Sequence, residues 1–182
     1  MNLAITQGDP AGIGPEIIVA GWKEIVAATP ASPVVFGHPE ILRKAAKLRN
    51  IDLTVAEVES VNTSTKASES VIPCLKVVDD FAVDVAYGQV DARAGKAAYD
   101  AIDAAINAAR AGQVAAIVTA PIHKEAMNLA GYHYPGHTEL LAEKCGVADF
   151  AMMLYLGPPL GPQASCLQSG RQDACVPRGV PR

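Results

Sequence analysis

A hydroxyl, an imidazole and an ammonium group follow one apolar run of the sequence. The run is Val114–Val118, and Thr119, His123 and Lys124 come soon after it. Such a run predicts a β-strand covered on both faces, and in open α/β sheets ligands bind beyond the carboxyl ends of the strands. Lys124 could hold an anion there or, if desolvated, donate or accept a proton, and an unperturbed His123 would titrate near neutrality. A solvated lysine beside a histidine that only starts a helix is the alternative.

A second polar cluster precedes the next predicted helix. It is the stretch Tyr134–Glu139, which contains His137 and Thr138. The free backbone N–H groups and the dipole at a helix N-terminus favour an anion such as phosphate. Thr138 is also a residue type that caps helices, so a purely structural role is the alternative. Two polar clusters that flank one short connection favour a shared anion site.

A glycine-rich segment, Gly8–Glu16, follows the apolar run Leu3–Thr6. Its glycines permit close approach of the backbone to a ligand, and Pro15 suits the first turn of a helix. The spacing fits neither the dinucleotide fingerprint nor the P-loop. The segment therefore predicts a strand-to-helix loop at a ligand crevice, with an ordinary tight turn as the alternative.

Strand and helix patterns alternate along the chain, which predicts a doubly wound α/β fold. A polar surface loop is expected over residues 62–68. The predicted strands are Leu3–Thr6, Val34–Phe36, Leu53–Glu59, Cys74–Val78, Val114–Val118 and Ala151–Tyr155. The predicted helices are Pro15–Ala28, Glu40–Leu48, Asp91–Ala111, His123–Leu129 and Thr138–Lys144.

Composition favours one core and small-molecule chemistry. The chain has 182 residues, half of them apolar, and a formal net charge of -4, which argues against a nucleic-acid partner. No apolar run is long enough to cross a membrane, and the start of the chain does not resemble a signal peptide, so we expect a cytoplasmic protein. The four cysteines form no C-x-x-C pair and are expected to be reduced.

The character of the sequence changes after Gly157. Residues 158–182 contain five prolines and three glycines without a hydrophobic period, which predicts a disordered tail outside the domain formed by residues 1–157. Either a genuine disordered terminus or a frame-shifted or artificially terminated end would explain this change. We expect the frame-shifted or artificially terminated end.

Four segments together resemble the 4-hydroxythreonine-4-phosphate dehydrogenase (PdxA) family of vitamin B6 biosynthesis over about residues 1–157. These segments are Gly8–Glu16, Thr119–Lys124, Gly136–Glu139 and Met152–Leu154. The resemblance implies a three-layer α/β/α fold like that of isocitrate and isopropylmalate dehydrogenases, a homodimer, NAD and a divalent metal (Zn, Mg or Co). The implied reaction oxidises 4-phosphohydroxy-L-threonine and releases carbon dioxide, giving 3-amino-2-oxopropyl phosphate.

The resemblance also implies roles for individual residues. His137 and Thr138 correspond to family residues that contact the phosphorylated substrate, and His123 and Lys124 take a supporting, anion-facing role. Gly12 and Gly14 are candidate cofactor contacts. No residue can be assigned as the general base.

The sequence departs from the family after Met152–Leu154. The family continues to a Thr-Thr-His segment that supplies the first of three metal ligands, whereas this chain has no histidine after His137. We therefore expect a truncated chain without the family's metal site and without activity on its own. The alternatives are a non-catalytic phosphate-binding fragment, or a related dehydrogenase for a phosphorylated sugar acid or a cyclic diol.

Overall fold

The computed structural model describes residues 1–62 and 65–153. The chain divides into two units, Met1–Ala148 and Asp149–Arg182. The first unit contains a five-stranded sheet and its helices, and residues 149–153 of the second have no regular secondary structure. The predicted tail, residues 158–182, lies outside the described residues, so the predicted domain boundary stays a prediction.

The first unit alternates strands and helices, as the sequence pattern predicts. The strands are β1 (Asn2–Thr6), β2 (Ser32–Gly37), β3 (Thr54–Val58), β4 (Val71–Lys76) and β5 (Ala116–Thr119). The helices are α1 (Gly14–Ala20), α2 (Trp22–Ala28), α3 (Pro39–Leu48), α4 (Ala92–Arg110), α5 (Lys124–Leu129) and α6 (His137–Cys145), with a 3-10 turn at Asp80–Ala82.

All neighbouring strands are parallel, in the order β3-β4-β2-β1-β5. The central strands β1 and β2 are buried on both faces of the sheet. Ala4 and Val34 belong to one apolar cluster, whereas the next residues along each strand, Ile5 and Val35, belong to another. Continuous apolar runs in this sequence therefore form buried parallel strands.

Helices cover both faces of this sheet. Trp22 of α2 and Leu42 of α3 pack with Ile5 on one face, and Ala105 of α4 packs with Ala4 on the other. Helices α5 and α6 lie against α4, because Ile102 of α4 forms a cluster with Met127 and Leu140. This arrangement confirms the predicted three-layer α/β/α fold.

Helix α4 is the element that the sequence predicts most closely. The side chain of Asp91 accepts a hydrogen bond of 2.7 Å from the backbone N–H of Arg93, which caps the helix. The apolar face of the helix, which includes Ala98, Ile102, Ala105 and Ile106, is buried, and Gly112 follows the last turn with a φ of +70°. The cap and the glycine thus fix both ends.

Three predicted elements need correction. The helix predicted over residues 15–28 is two helices, which meet at Gly21. The strand predicted from Cys74 begins three residues earlier and ends at Lys76. Ala151–Met153 is not a strand, and the rest of that predicted strand lies outside the described residues.

The burial predicted for strand β5 was wrong. Val118 is 48% exposed, because β5 pairs with β1 along one edge and no other strand of the described part of the chain pairs along its second edge. The strand also begins at Ala116 rather than Val114 and extends to Thr119. The carboxyl end of β5 therefore lies at the margin of this sheet.

The cysteines and the membrane prediction can be examined only within the described residues. Cys74 and Cys145 are free thiols there, and burial raises the pKa of Cys74 to about 12, so it stays neutral. Cys166 and Cys175 lie outside the described residues. Among the helices of residues 1–62 and 65–153, none is long and apolar enough to span a membrane.

We predict that Gly95→Ala displaces α5 and destabilises the fold. A methyl group on Gly95 of α4 would collide with the backbone of Ala126 in α5. Overpacking of this kind costs about 1–3 kcal/mol, which exceeds the roughly 1 kcal/mol that alanine gains over glycine in a helix. Urea denaturation measures the loss.

Gly12→Ala is the matched control. A Cβ there would meet its nearest atom at 3.6 Å, which is ordinary van der Waals contact. We expect the unfolding midpoint of this variant to stay close to that of the parent chain. Equal midpoints for Gly95→Ala and the parent would contradict the proposed close contact between α4 and α5.

Candidate anion site at the carboxyl edge of the sheet

The glycine-rich loop after β1 lies directly against the segment after β5. The backbone N–H of Asp9 donates a hydrogen bond of 3.0 Å to the carbonyl oxygen of Pro121. Gly8 has a φ of +73°, and any side chain at that position would collide with the same carbonyl. The two loops predicted to carry chemistry are therefore neighbours at one edge of the sheet.

Asp9 organises the glycine-rich loop. Its side chain is 5% exposed and accepts a hydrogen bond of 2.7 Å from the backbone N–H of Ala11. Burial raises the pKa of this carboxyl, whereas the backbone N–H groups of Ala11 and Gly12 and the charge of His123 lower it. Asp9 is thus buried within the loop that it organises instead of facing solvent.

The two glycines predicted to contact a cofactor have different surroundings. Gly14 is buried, and a Cβ there would lie 2.5 Å from the carbonyl oxygen of Gln7, so close packing of α1 against β1 already requires a glycine. A Cβ on Gly12 would meet only ordinary contacts with Asp9. Contact of Gly12 and Gly14 with a cofactor stays a prediction.

His123 and Lys124 lie where helix α5 begins. His123 is the N-cap, since its Nδ1 atom accepts a hydrogen bond of 3.3 Å from the backbone N–H of Ala126. Both side chains are exposed. His123 therefore has the helix-start role that the sequence left as an alternative. This role uses Nδ1 of the ring and does not use Nε2.

The cluster around His137 forms the first turn of α6. Helix α6 begins at His137, its N-cap is Gly136, and no side chain of the described residues caps it. Thr138 is the second helical residue and not the N-cap, which excludes the capping alternative. Free N–H groups in this turn are the kind of donors that bind anions.

His137 has one ring nitrogen without a partner. Its Nε2 atom is buried and finds no hydrogen-bond partner among residues 1–62 and 65–153. Burial lowers the pKa of the imidazole, although a hydrogen bond with the backbone of Ala120 raises it. Ala120 directly follows β5, so His137 is held against the same segment as Gly8.

Lys124 reaches the first turn of α6. A Cβ placed on Gly136 would lie 4.0 Å from Cε of Lys124 and 3.5 Å from Oε2 of Glu139. The aliphatic part of the Lys124 side chain and the carboxylate of Glu139 therefore both lie beside the start of α6. The structure thus brings Lys124 beside Gly136, and a shared anion site for the two clusters stays a prediction.

Sequence reasoning missed three polar residues near the ends of β1, β2 and β4. Gln7 is fully buried, and its Oε1 atom accepts a 2.8 Å hydrogen bond from the backbone N–H of His38. His38 is buried, and its Nε2 atom lies 2.9 Å from Asp80. Lys76 and His38 hold the pKa of Asp80 at about 2.

The contacts of Gln7, His38 and Asp80 hold together the loops that follow β1, β2 and β4, and no sequence motif marks them. Nδ1 of His38 accepts a 3.1 Å bond from the backbone N–H of Glu40 and so caps α3. A histidine followed by proline at a helix start was the available signal. The Asp80 contact spans 42 residues and leaves no local pattern.

The metal implied by the family resemblance has no ligand set in the described residues. No group of three or more His, Cys, Asp or Glu side chains there could hold a metal ion.

Comparison with known proteins places the chain in a family. The family model described as "Pyridoxal phosphate biosynthetic protein PdxA" matches residues 29–160. The 4-hydroxythreonine-4-phosphate dehydrogenase of Trichlorobacter lovleyi is 43% identical over 153 residues, which make up 84% of this chain and 46% of that protein. The D-threonate 4-phosphate dehydrogenase of Pectobacterium atrosepticum is 40% identical over 158 residues, 84% of this chain and 47% of that protein.

A solved structure agrees with these matches. The crystal structure of 4-hydroxythreonine-4-phosphate dehydrogenase from Klebsiella pneumoniae superposes with a TM-score of 0.77 at 38% identity, over 85% of this chain and 47% of that one. The chain spans about half the length of the curated relatives it matches. Motifs, fold and sequence identity therefore agree that the chain belongs to the PdxA family of 4-hydroxythreonine-4-phosphate dehydrogenases, a family of oxidoreductases.

Proposed function

We propose that this chain carries the substrate-phosphate site of an NAD-dependent dehydrogenase. The substrate is 4-phosphohydroxy-L-threonine, which is oxidised and decarboxylated to 3-amino-2-oxopropyl phosphate. One observation supports this most directly: the buried Nε2 atom of His137, at the start of α6, finds no partner among the described residues. A phosphate oxygen is an acceptor to which this nitrogen donates once it is protonated.

The chemistry of the site suits a phosphate dianion. Lys124 supplies a positive charge, and the first turn of α6 supplies N–H donors and the positive end of its dipole. Thr138 adds a hydroxyl within the same turn, and His123 approaches from the start of α5. The carboxylate of Glu139 opposes the anion, so Lys124 must offset it as well as bind the phosphate.

His137 is neutral before phosphate binds in this proposal. Burial lowers the pKa of His137 below its ordinary 6.5, so the uncharged imidazole dominates at neutral pH. A neutral imidazole donates from one nitrogen and accepts at the other, and its one N–H is used in the hydrogen bond with the Ala120 backbone. Nε2 therefore takes up a proton as the phosphate dianion binds and donates it to a phosphate oxygen, while Lys124 provides the charge that is present before binding.

The cofactors enter the proposal in different ways. NAD, when bound, accepts the hydride from the substrate's secondary alcohol, and Gly12 is the candidate contact with room beside it. The divalent metal has no ligand set among the described residues, so no step is assigned through it. Homodimer formation, which the family resemblance implies, and the cytoplasmic location expected from the sequence are part of the same proposal.

One alternative substrate has specific support. The relative from Pectobacterium atrosepticum is named for D-threonate 4-phosphate, and the relative from Trichlorobacter lovleyi for 4-hydroxythreonine-4-phosphate. The two names share a 4-phosphate. The proposed site contacts this shared group, so a D-threonate 4-phosphate dehydrogenase would use it in the same way. A non-catalytic fragment that only binds phosphate is the third possibility.

The first prediction from the proposed function concerns phosphate binding. We expect inorganic phosphate to raise the melting temperature of the chain, with a stabilisation of about 1.4 kcal/mol at ten times the dissociation constant. His137→Ala and Lys124→Gln should abolish or weaken this effect, since they remove the orienting ring and the charge. Differential scanning fluorimetry over a phosphate series, with sodium chloride at matched ionic strength, provides the measurement.

His133→Ala is the matched control for the histidine variant. His133 lies four residues before His137 and is exposed. This variant should keep the full response to phosphate. The proposal is contradicted if millimolar phosphate leaves the parent chain unchanged, or if His133→Ala loses the response as fully as His137→Ala.

The second prediction concerns turnover. We expect the purified 182-residue chain, given NAD, zinc or magnesium and 4-phosphohydroxy-L-threonine, to form no NADH. The reason is that its described residues provide no metal-ligand group to stabilise the developing alkoxide. Absorbance at the NADH band measures the product, with the Trichlorobacter lovleyi protein as the assay standard. Metal-dependent NADH formation by the short chain would refute this expectation.

The third prediction concerns pH. Because folding lowers the pKa of His137, the unfolded chain takes up this proton first as pH falls below about 6.5. The contribution of the neutral His137 ring to the free energy of unfolding is therefore fully present above that pH. It is lost as pH falls through the lower pKa of the folded state. We expect His137→Asn to lose less stability than the parent between neutral pH and pH 5, measured by urea denaturation. His133→Asn should behave like the parent; parallel curves for all three proteins would contradict the expectation.

A further inference from the structure

Helix α6 is held in place by a group of aromatic and charged side chains that lie outside its first turn. The members come from α4, from the connection before α6 and from the last turn of α6. We call this group the tyrosine clamp, and it consists of Tyr99, Asp103, Tyr132, Tyr134, Glu143 and Lys144.

The connection before α6 is stacked against α4. The rings of Tyr99 and Tyr132 are nearly parallel, with centroids 3.6 Å apart, and the ring of Tyr134 follows at 6.4 Å from Tyr99. The backbone N–H of Tyr132 also donates a 2.9 Å hydrogen bond to the carbonyl of Met127 in α5. The chain therefore reaches Gly136 along a path fixed by two helices.

The last turn of α6 is fixed by the same side chains. The hydroxyl of Tyr134 donates a hydrogen bond of 2.8 Å to Oε1 of Glu143. Nζ of Lys144 lies 2.7 Å from Asp103 and 5.0 Å from the ring centre of Tyr99. Tyr134 thus connects the residues before α6 to the far end of that helix, which is about 13 Å long.

We infer that Tyr134 is a positioning residue, which sets where His137 and the first turn of α6 lie against Ala120. Tyr134 lies three residues before His137, and its hydrogen bond to Glu143 fixes the entry of the chain into the helix relative to the helix axis. The buried ring of His137 depends on that placement. The consequence for phosphate affinity rests on the proposed function, whereas the consequence for the burial of His137 does not.

Three variants isolate the hydrogen bond. Tyr134→Phe removes the donor and keeps the ring, and Glu143→Ala removes the acceptor. Glu143→Gln removes the charge but keeps an acceptor oxygen. Tyr87→Phe is the control, because Tyr87 is exposed and lies outside the tyrosine clamp.

The readout is the titration of the His137 ring, followed by NMR in the full chain. The chain has four histidines, and His137→Asn assigns the signal. We expect Tyr134→Phe and Glu143→Ala to move the measured pKa of His137 toward its ordinary value, because the ring becomes more hydrated. Glu143→Gln and Tyr87→Phe should leave it unchanged, and the double variant Tyr134→Phe/Glu143→Ala should shift it no further than either single change.

Two outcomes would overturn the inference. One is an unchanged His137 titration in Tyr134→Phe. The other is a shift of the measured His137 pKa in Glu143→Gln that is as large as the shift in Glu143→Ala. Signals of exposed His133 show in every sample whether a change is confined to His137.

Phosphate titration provides the second arm. The dissociation constant should rise in Tyr134→Phe by no more than about tenfold, the upper limit set by loss of the one hydrogen bond that holds α6, and should not change in Tyr87→Phe. If the parent chain binds no phosphate, the proposed function fails while the NMR arm still decides the role of Tyr134. If phosphate binds and the His137 titration does not respond to Tyr134→Phe, only the positioning role fails.

Discussion

The backbone contact between Gly8 and Pro121 is the constraint on which the rest of the site depends. It joins the loops that follow β1 and β5, and it leaves no room for a side chain at Gly8. Ala120, one residue earlier, lies within reach of Gly8 and Gly14 and hydrogen-bonds the ring of His137. The start of α1, the start of α5 and the start of α6 are thus positioned against one short segment. A displaced segment would move all three at once, which is why this edge acts as a unit.

Burial at this edge shifts the pKa of two groups away from charge. The pKa of the Asp9 carboxyl is raised and the pKa of the His137 imidazole is lowered, and desolvation is the largest cause of both shifts. Burial thus disfavours the charged form of both groups, and the positive charge beside the start of α6 comes from exposed Lys124. Charge and orientation are then provided by different residues. Such a division suits a ligand that must be both attracted and held in one orientation.

Sequence patterns predicted the elements whose signals are local. Helix α4 was predicted almost to the residue, because its signals are local: Asp91 caps its start, its apolar face has helical spacing and Gly112 follows its end. The break at Gly21 was missed, since an isolated glycine does not reveal whether a helix continues. The burial of Val118 was wrong because burial of a strand depends on its neighbours. Likewise the candidate residues at the anion site were found from motifs, whereas His38 and Asp80 meet across 42 residues and were not.

The placement of residues separates recognition from redox chemistry in the proposed function. Lys124, Gly136 and His137 lie within 14 positions of one another, all inside the unit Met1–Ala148. The described residues of that unit provide no metal-ligand group, and the chain spans about half of its curated relatives. A phosphate held by α6 would therefore fix one end of the substrate before any residue acts on its alcohol. Because the clamp that holds α6 lies in the same unit, this half of the fold can preorganise the phosphate site without the groups that carry out the oxidation.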